Sequence, residues 1–232
     1  MQEAKDREQL EHYLQAYQLK AIFNKSLLPH LSLFHFKQGE SICTQGESSH
    51  YLYILVKGKI KVYTTSAEGK ALILSFKTPL EVIGDIEYLR NIDFINTVEA
   101  VSPVSMIAIH HRWLRKYGQD YAPLLNFLLD IITKKFCVKS NSMSFNLMYP
   151  VEVRLASYLL SISSDESGYL FNGQLGTISL KDAANLVGTS YRHLNRVIQQ
   201  FCAEGLVERN KGGILIKNRD GLCTLASESI YE

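Results

Sequence analysis

The spacing of apolar residues changes character near Gln119, and that change constrains the fold more than any other feature of the 232 residues. Upstream, from about Leu31 to about Ile109, short β-prone runs alternate with glycine. Leu52-Tyr53-Ile54-Leu55-Val56, Lys59-Ile60-Lys61-Val62-Tyr63 and Ala71-Leu72-Ile73-Leu74-Ser75-Phe76 are separated by turn signals at Gly39, Gly46, Gly58 and Gly69. Intervals of roughly ten residues are the rhythm of an all-β roll or barrel. Ile60 and Val62 alternate with Lys59 and Lys61, which gives that strand a core face and a water face. Leu10 to Leu28 reads as a helix lying against the roll.

Downstream, from about Gln119 to Asn146, the period is helical. Tyr121, Leu125, Leu128, Ile132 and Phe136 recur at spacings of 4, 3, 4 and 4, with Lys134, Lys135 and Lys139 mostly off that stripe. A helix of about 28 residues runs roughly 42 Å, more than one small domain covers. The stripe is therefore expected to be a two-stranded coiled-coil dimer interface. Pro150 ends this helix or starts the next, and Val151–Leu160 opens a second, smaller domain.

That second domain carries the chemistry. Ser179-Leu180-Lys181-Asp182 reads as a Ser-x-x-Asp capping box, starting a helix whose Ala183, Ala184, Leu186 and Val187 can face a core. Gly188 falls where a tight turn needs positive φ, and Ser190 can cap the next helix. Two short helices about a glycine turn make a helix-turn-helix. On the second helix Leu194, Val197, Ile198 and Phe201 form the buried stripe, leaving Tyr191, Arg192, Asn195, Arg196 and Gln199 outside. Arg192 and Arg196, four residues apart, project together as readers of base edges or phosphates would. After Gly205, the run from Leu206 to Ile216 reads as two short strands about a Gly-rich turn, a wing. Between Gly176 and Arg219 seven Lys or Arg stand against three acids, a local balance that favours a polyanion.

Composition bounds the remainder. A hydrophobic content of 46% supports packed cores and excludes a disordered or fibrous chain. No run approaches the ~20 apolar residues of a membrane helix, and the opening Met1-Gln2-Glu3-Ala4-Lys5-Asp6 lacks a signal-peptide pattern. A cytoplasmic protein without membrane contact is expected. Cys43, Cys137, Cys202 and Cys223 lie at least 21 residues apart, so reduced, buried thiols are expected and a metal or cluster site is not. The seven histidines, including adjacent His110 and His111, show no ligand spacing. No Ser-His-Asp order, Walker loop, His-Glu-x-x-His or dinucleotide turn is present, so no catalytic residue, metal or cofactor is expected.

The order of β-roll, long helix and winged helix resembles the Crp-Fnr family of dimeric bacterial regulators from about Leu31 to Arg219. Gln45-Gly46-Glu47, Tyr53-Ile54-Leu55-Val56-Lys57-Gly58, Glu68-Gly69-Lys70-Ala71-Leu72-Ile73-Leu74-Ser75, Ile83-Gly84-Asp85-Ile86 and Val187-Gly188-Thr189-Ser190 are similar to the catabolite activator of that family. Ser190-Tyr191-Arg192-His193-Leu194 resembles its YeiL-like branch. The resemblance implies an α+β fold: a cyclic-nucleotide-binding-like jelly roll over residues 1–118, a dimerisation helix over 119–146 and a winged helix-turn-helix over 147–232. It implies a homodimer on a palindromic double-stranded operator, with RNA polymerase as a further partner. Ser179, Lys181, Thr189, Ser190, Tyr191, Arg192, Asn195, Arg196 and Lys211 are the expected DNA-contact residues. Where the catabolite activator reads its operator with Arg, Glu and Arg, this chain has Tyr191, Arg192 and Arg196, so a different operator follows.

In cyclic-nucleotide-binding relatives a helix after Gly-Glu-Leu and an Arg-Ser or Arg-Thr pair hold the phosphate. Gly84-Asp85-Ile86-Glu87 matches the start of that cassette, and Thr97-Val98-Glu99-Ala100 its end, which places Phe94-Ile95 where the pair belongs. Without a guanidinium or hydroxyl a buried phosphate would be unpaired. Cyclic AMP is therefore not expected, and Gly84, Asp85, Ile86, Phe94 and Ile95 would line an apolar pocket for an unidentified effector, if any. Two alternatives stay open: a regulatory module acting through protein partners, and redox control through Cys137.

Overall fold

A computed structural model describes residues 2–4, 6–67, 69, 71–162, 180–210 and 213–226. The chain divides into two compact units, Met1–Phe136 and Cys137–Glu232.

In the first unit strands are laid down in quick succession because β-branched and aromatic runs are cut by turn glycines, and Gly39, Gly46, Gly58 and Gly69 all take positive φ. The elements are β1 (Gln2–Ala4), α1 (Arg7–Ala16), β2 (Leu31–Phe36), β3 (Ser41–Cys43), β4 (Tyr51–Lys57), β5 (Ile60–Thr65), β6 (Ala71–Lys77), β7 (Glu81–Ile83), α2 (Asp85–Arg90), β8 (Thr97–Ala100), β9 (Val104–His110), α3 (His111–Tyr117) and the start of α4 (Ala122–Met148). They form a five-stranded sheet ordered β1-β2-β9-β4-β7 and a four-stranded sheet ordered β3-β8-β5-β6. Every strand pair is antiparallel.

The larger sheet is buried on both faces. Tyr53 and Leu55 of β4 join Phe34, Phe36, Ile60, Val98, Met106 and Phe94 in the roll interior. The alternate residues Leu52, Ile54 and Val56 pack with Leu10, Leu14, Leu114, Leu124 and Leu128 beneath the helices. Burial on both sides explains why β4 reads as a continuous apolar run; in β5 the expected alternation is weak, with Ile60 buried and both Val62 and Lys61, the latter paired to Glu99 at 3.2 Å, half-buried.

Two sequence expectations need correction, and one strand adds to them. The helix expected from Leu10 to Leu28 stops at Ala16, because Gln18 turns left-handed at φ 54°; two single 3₁₀ turns, Leu19–Ala21 and Leu28–His30, complete the segment. Strand β1, whose backbone pairs with Leu33–His35, carries too short a pattern to be foreseen. The apolar stripe of α4 also divides. Leu128 is 1% exposed in the chain's own core, so it is not available to a second copy, and Tyr121 is half-buried against that core. The exposed large apolar side chains of α4 are Leu125, Leu129, Phe136, Met143, Leu147 and Met148, with Ile132 half-buried. The reason is angular: a helix held against a sheet on one side offers a partner only its opposite side, one residue round from the stripe the periodicity picks out.

The second unit contains the rest of α4, then α5 (Val151–Ile162), α6 (Leu180–Val187), α7 (Tyr191–Ala203), β10 (Val207–Asn210), β11 (Gly213–Ile216) and α8 (Arg219–Leu225). Its core joins Leu155, Tyr158 and Leu159 of α5 to Ala183, Ala184 and Val187 of α6, with Leu194, Val197, Ile198 and Phe201 of α7 and Leu206, Ile214 and Leu222 beyond. Arg154 is 9% exposed and donates through Nη1 to the Val187 carbonyl at 2.6 Å, which satisfies a carbonyl at the end of α6. Among the described residues no helix is long and apolar enough to cross a membrane, and no group of three His, Cys, Asp or Glu could hold a metal ion.

Candidate nucleic-acid interface

The turn between α6 and α7 is built from local chemistry. Gly188 takes φ +70°; its N–H donates to the Asn185 carbonyl at 3.2 Å and the Thr189 N–H to the Ala184 carbonyl at 2.9 Å. This paired closure needs a left-handed residue at Gly188, where a side chain would be strained. Ser190 follows in extended geometry, and its Oγ accepts from the His193 N–H at 3.1 Å, capping α7. Two residues therefore end one helix and start the next, fixing the angle at which α7 leaves the core.

All four expected core residues of α7 are buried, which turns the opposite face outward. Tyr191 is 50% exposed, and Arg192, Arg196 and Gln199 are exposed. Thr189 and Asn195 are half-buried; Ser190 and Lys181 are exposed. Asn195 is committed at both ends: Nδ2 donates to the Tyr191 carbonyl at 3.0 Å, and Oδ1 accepts from Arg209 Nη1 at 3.0 Å. A base-reading role for Asn195 would require breaking both bonds. Arg209 is absent from the residues singled out in sequence, because nothing in the local pattern of a strand says which helix it will cover. Strands β10 and β11 pair from Val207↔Ile216 to Asn210↔Gly213, which is the wing. Ser179 and Lys211 lie outside the described residues.

The cassette in the roll is arranged differently from the expected pocket. Gly84 takes φ +89° at the start of α2, and a Cβ there would lie 2.6 Å from the Tyr51 carbonyl oxygen, so the backbone approach requires glycine. Asp85 is 3% exposed and is paired: Lys135 of α4 reaches its Oδ2 at 2.9 Å and Oδ1 at 3.1 Å, the Val82 carbonyl at 2.5 Å and Glu81 Oε1 at 3.1 Å. Lys77 holds the other oxygen of Glu81 at 3.1 Å. Burial alone would raise the Glu81 pKa, but the two ammonium groups keep it below the ordinary carboxylate value. Phe94 and Ile95 do not share a pocket. Phe94 is 7% exposed within the roll interior, whereas Ile95, at the bend before β8, is 41% exposed. Glu87 Oε1 accepts from the Ile95 N–H at 3.2 Å and so is committed to the loop, while Ile86 is half-buried.

Of the four thiols expected to be buried, only Cys43 is; Cys202 and Cys223 are half-buried, and Cys137 sits on the outer side of α4. Burial, reinforced by the Glu87 carboxylate, pushes the Cys43 thiol up to about 12, while Cys137 is exposed.

Comparison with known proteins bears on both units. The cyclic nucleotide-binding domain family matches residues 33–121, and the Crp-like helix-turn-helix domain family matches residues 153–225. Regulatory protein YeiL of Escherichia coli O157:H7 is 31% identical over 205 residues, covering 84% of this chain and 86% of that protein. The cAMP-activated global transcriptional regulator CRP of Salmonella typhimurium is 22% identical over 191 residues, covering 82% and 91% respectively. The crystal structure of a transcriptional regulator of the Crp/Fnr family from Eubacterium rectale is similar with a TM-score of 0.78 at 22% identity, covering 93% of this chain and 99% of that one.

Proposed function

Because the chain belongs to the Crp-Fnr family of transcriptional regulators, we propose that it acts as a homodimer on a palindromic double-stranded operator, with α7 of each protomer in successive major grooves. The observation that carries this reading is the outward face of α7, where Arg192, Arg196 and Gln199 stand exposed opposite a fully buried stripe. Arg196 offers two donors to guanine O6 and N7, and Tyr191 stacks or touches a thymine methyl or phosphate. Lys181, Thr189, Ser190 and Lys211 contribute sugar-phosphate contacts. Leu129, Phe136 and Met143 recur every seven residues on the open side of α4, as do Leu125 and Ile132, and this heptad is the proposed seam between copies. The functional division is residues 1–118, 119–146 and 147–232, and RNA polymerase is the further partner.

The roll is not a cyclic AMP receptor on this reading. Phe94 fills the interior and Ile95 faces solvent, so neither supplies a donor to a phosphate, and the Asp85 carboxylate is occupied by Lys135. Iterative selection from a randomised duplex pool with the full chain tests the proposal. It should recover a two-fold sequence with half-sites about one helical turn apart, and Arg196→Ala should lose specific retention while sedimenting as a dimer. Undiminished specific binding by that variant would refute the role of Arg196; recovery of no duplex would refute DNA recognition itself.

A further inference from the structure

We propose that Arg209, on the first strand of the wing, grips the DNA backbone beside the recognition helix, and that Asn195 is the residue that aims it. The inference rests on the proposed operator binding and concerns a residue outside the helix that reads the bases.

The placement follows from strand and helix geometry. Val207 of β10 is buried against the core, and Arg209, two residues on, shares its sheet face, so the side chain is carried over α7. Glu208 points the other way and pairs with Lys217 at 3.2 Å. No acidic side chain pairs with Arg209 among the described residues; its partner is the neutral Oδ1 of Asn195 at 3.0 Å. The amide of Asn195 is itself fixed, because Nδ2 donates to the Tyr191 carbonyl one turn earlier at 3.0 Å. The guanidinium is thus held at the surface with no carboxylate paired to it among the described residues, and most of its five donors are free of Asn195.

The angular position selects the DNA group it meets. At about 100° per residue, Asn195 lies roughly 40° round from Tyr191, whereas Arg192 and Arg196 lie at about 100° and 140°, opposite the buried stripe. The two arginines occupy the centre of the outer face and point into a groove. Arg209 sits on the flank, where the strand that walls the groove presents phosphate oxygens to a bidentate donor. A neutral amide is suited to the aiming role, since an acid would neutralise the charge that the phosphate requires.

The test uses the full chain, a duplex selected with the unaltered protein, and a scrambled duplex of equal length. Arg209→Ala should weaken binding to both by the same factor, about tenfold or more at 0.1 M salt. The slope of log affinity against log salt should fall by about two, one for each protomer's contact. Asn195→Ala should weaken binding by a smaller factor, and should add nothing in the Arg209→Ala background. An unchanged salt slope would overturn the contact. So would a change in the ratio of affinities for the two duplexes, which would make Arg209 a base reader. Equal effects of Asn195→Ala with and without Arg209 would overturn the aiming role. Failure of the unaltered protein to select any duplex would refute the operator reading, a result separable from all three.

Discussion

Removing the Lys135 ammonium should loosen the roll by an amount that its three partners set. Lys135 lies 2.9 Å from Asp85 and 3.1 Å from Glu81, and donates to the Val82 carbonyl. At an effective dielectric near 20 each charge pair is worth roughly 5–6 kcal/mol of Coulomb attraction, most of it cancelled by the desolvation of the ions. Deleting the cation forfeits the attraction but leaves Asp85 buried, a situation that costs about 3–5 kcal/mol. Lys135 retains 20% side-chain exposure and Glu81 keeps Lys77, which places Lys135→Met at the lower end, about 3 kcal/mol. Trp113 is the only tryptophan of the chain and lies in α3, so its fluorescence in urea follows the roll alone. With a urea slope of about 2 kcal/mol/M, its midpoint should fall by about 1.5 M. Adding Asp85→Asn should recover part of the loss, because the stranded charge disappears. A shift below about 0.2 M, or full additivity of the two substitutions, would refute the account.

Three further outcomes follow from the same geometry. Phe136→Glu should leave the Trp113 midpoint unchanged and halve the mass in sedimentation, whereas Leu128→Ala should cost the roll about 2–5 kcal/mol; the reverse assignment would invert the two faces of α4. His111 is 4% exposed, and burial, with Arg115 and His110 nearby, depresses its pKa from 6.5 to about 4. The unfolded chain therefore takes up this proton first as pH falls. The stabilisation should be complete above about 6.5 and fade toward 4, on the order of 3 kcal/mol. His111→Phe should flatten that dependence of the Trp113 midpoint, and an unchanged slope would exclude His111 as its source. Iodoacetamide at pH 8 should modify Cys137 in the native chain and Cys43 only in urea, as peptide mass mapping would show; native labelling of Cys43 would contradict its burial.

What could be read from sequence was local or periodic. The α6–α7 turn was legible because Gly188 and Ser190 act on backbone groups within a few residues of themselves. The apolar stripe of α7 was legible because one face of one helix meets one core. The α4 stripe was legible only in part: Leu125 and Leu128 satisfy the same spacing rule, and which of them meets the sheet depends on how α4 docks. The divergence of Phe94 and Ile95 was not legible, because it depends on the bend that precedes β8. Lys135 with Asp85, 50 residues apart, and Arg209 with Asn195, 14 apart, leave no trace in sequence at all, because a polar contact between elements has no period.

The ring of Phe94 lies among Phe34, Phe36, Tyr53 and Met106, in a cavity that the chain fills with its own side chain. The surroundings are mostly apolar, so truncation to alanine should open a void among these side chains. A small aromatic compound entering it would bind the folded roll and not the unfolded chain, raising stability in proportion to its concentration. Phe94 thus marks a position where one substitution should let the roll interior accept a small aromatic ligand.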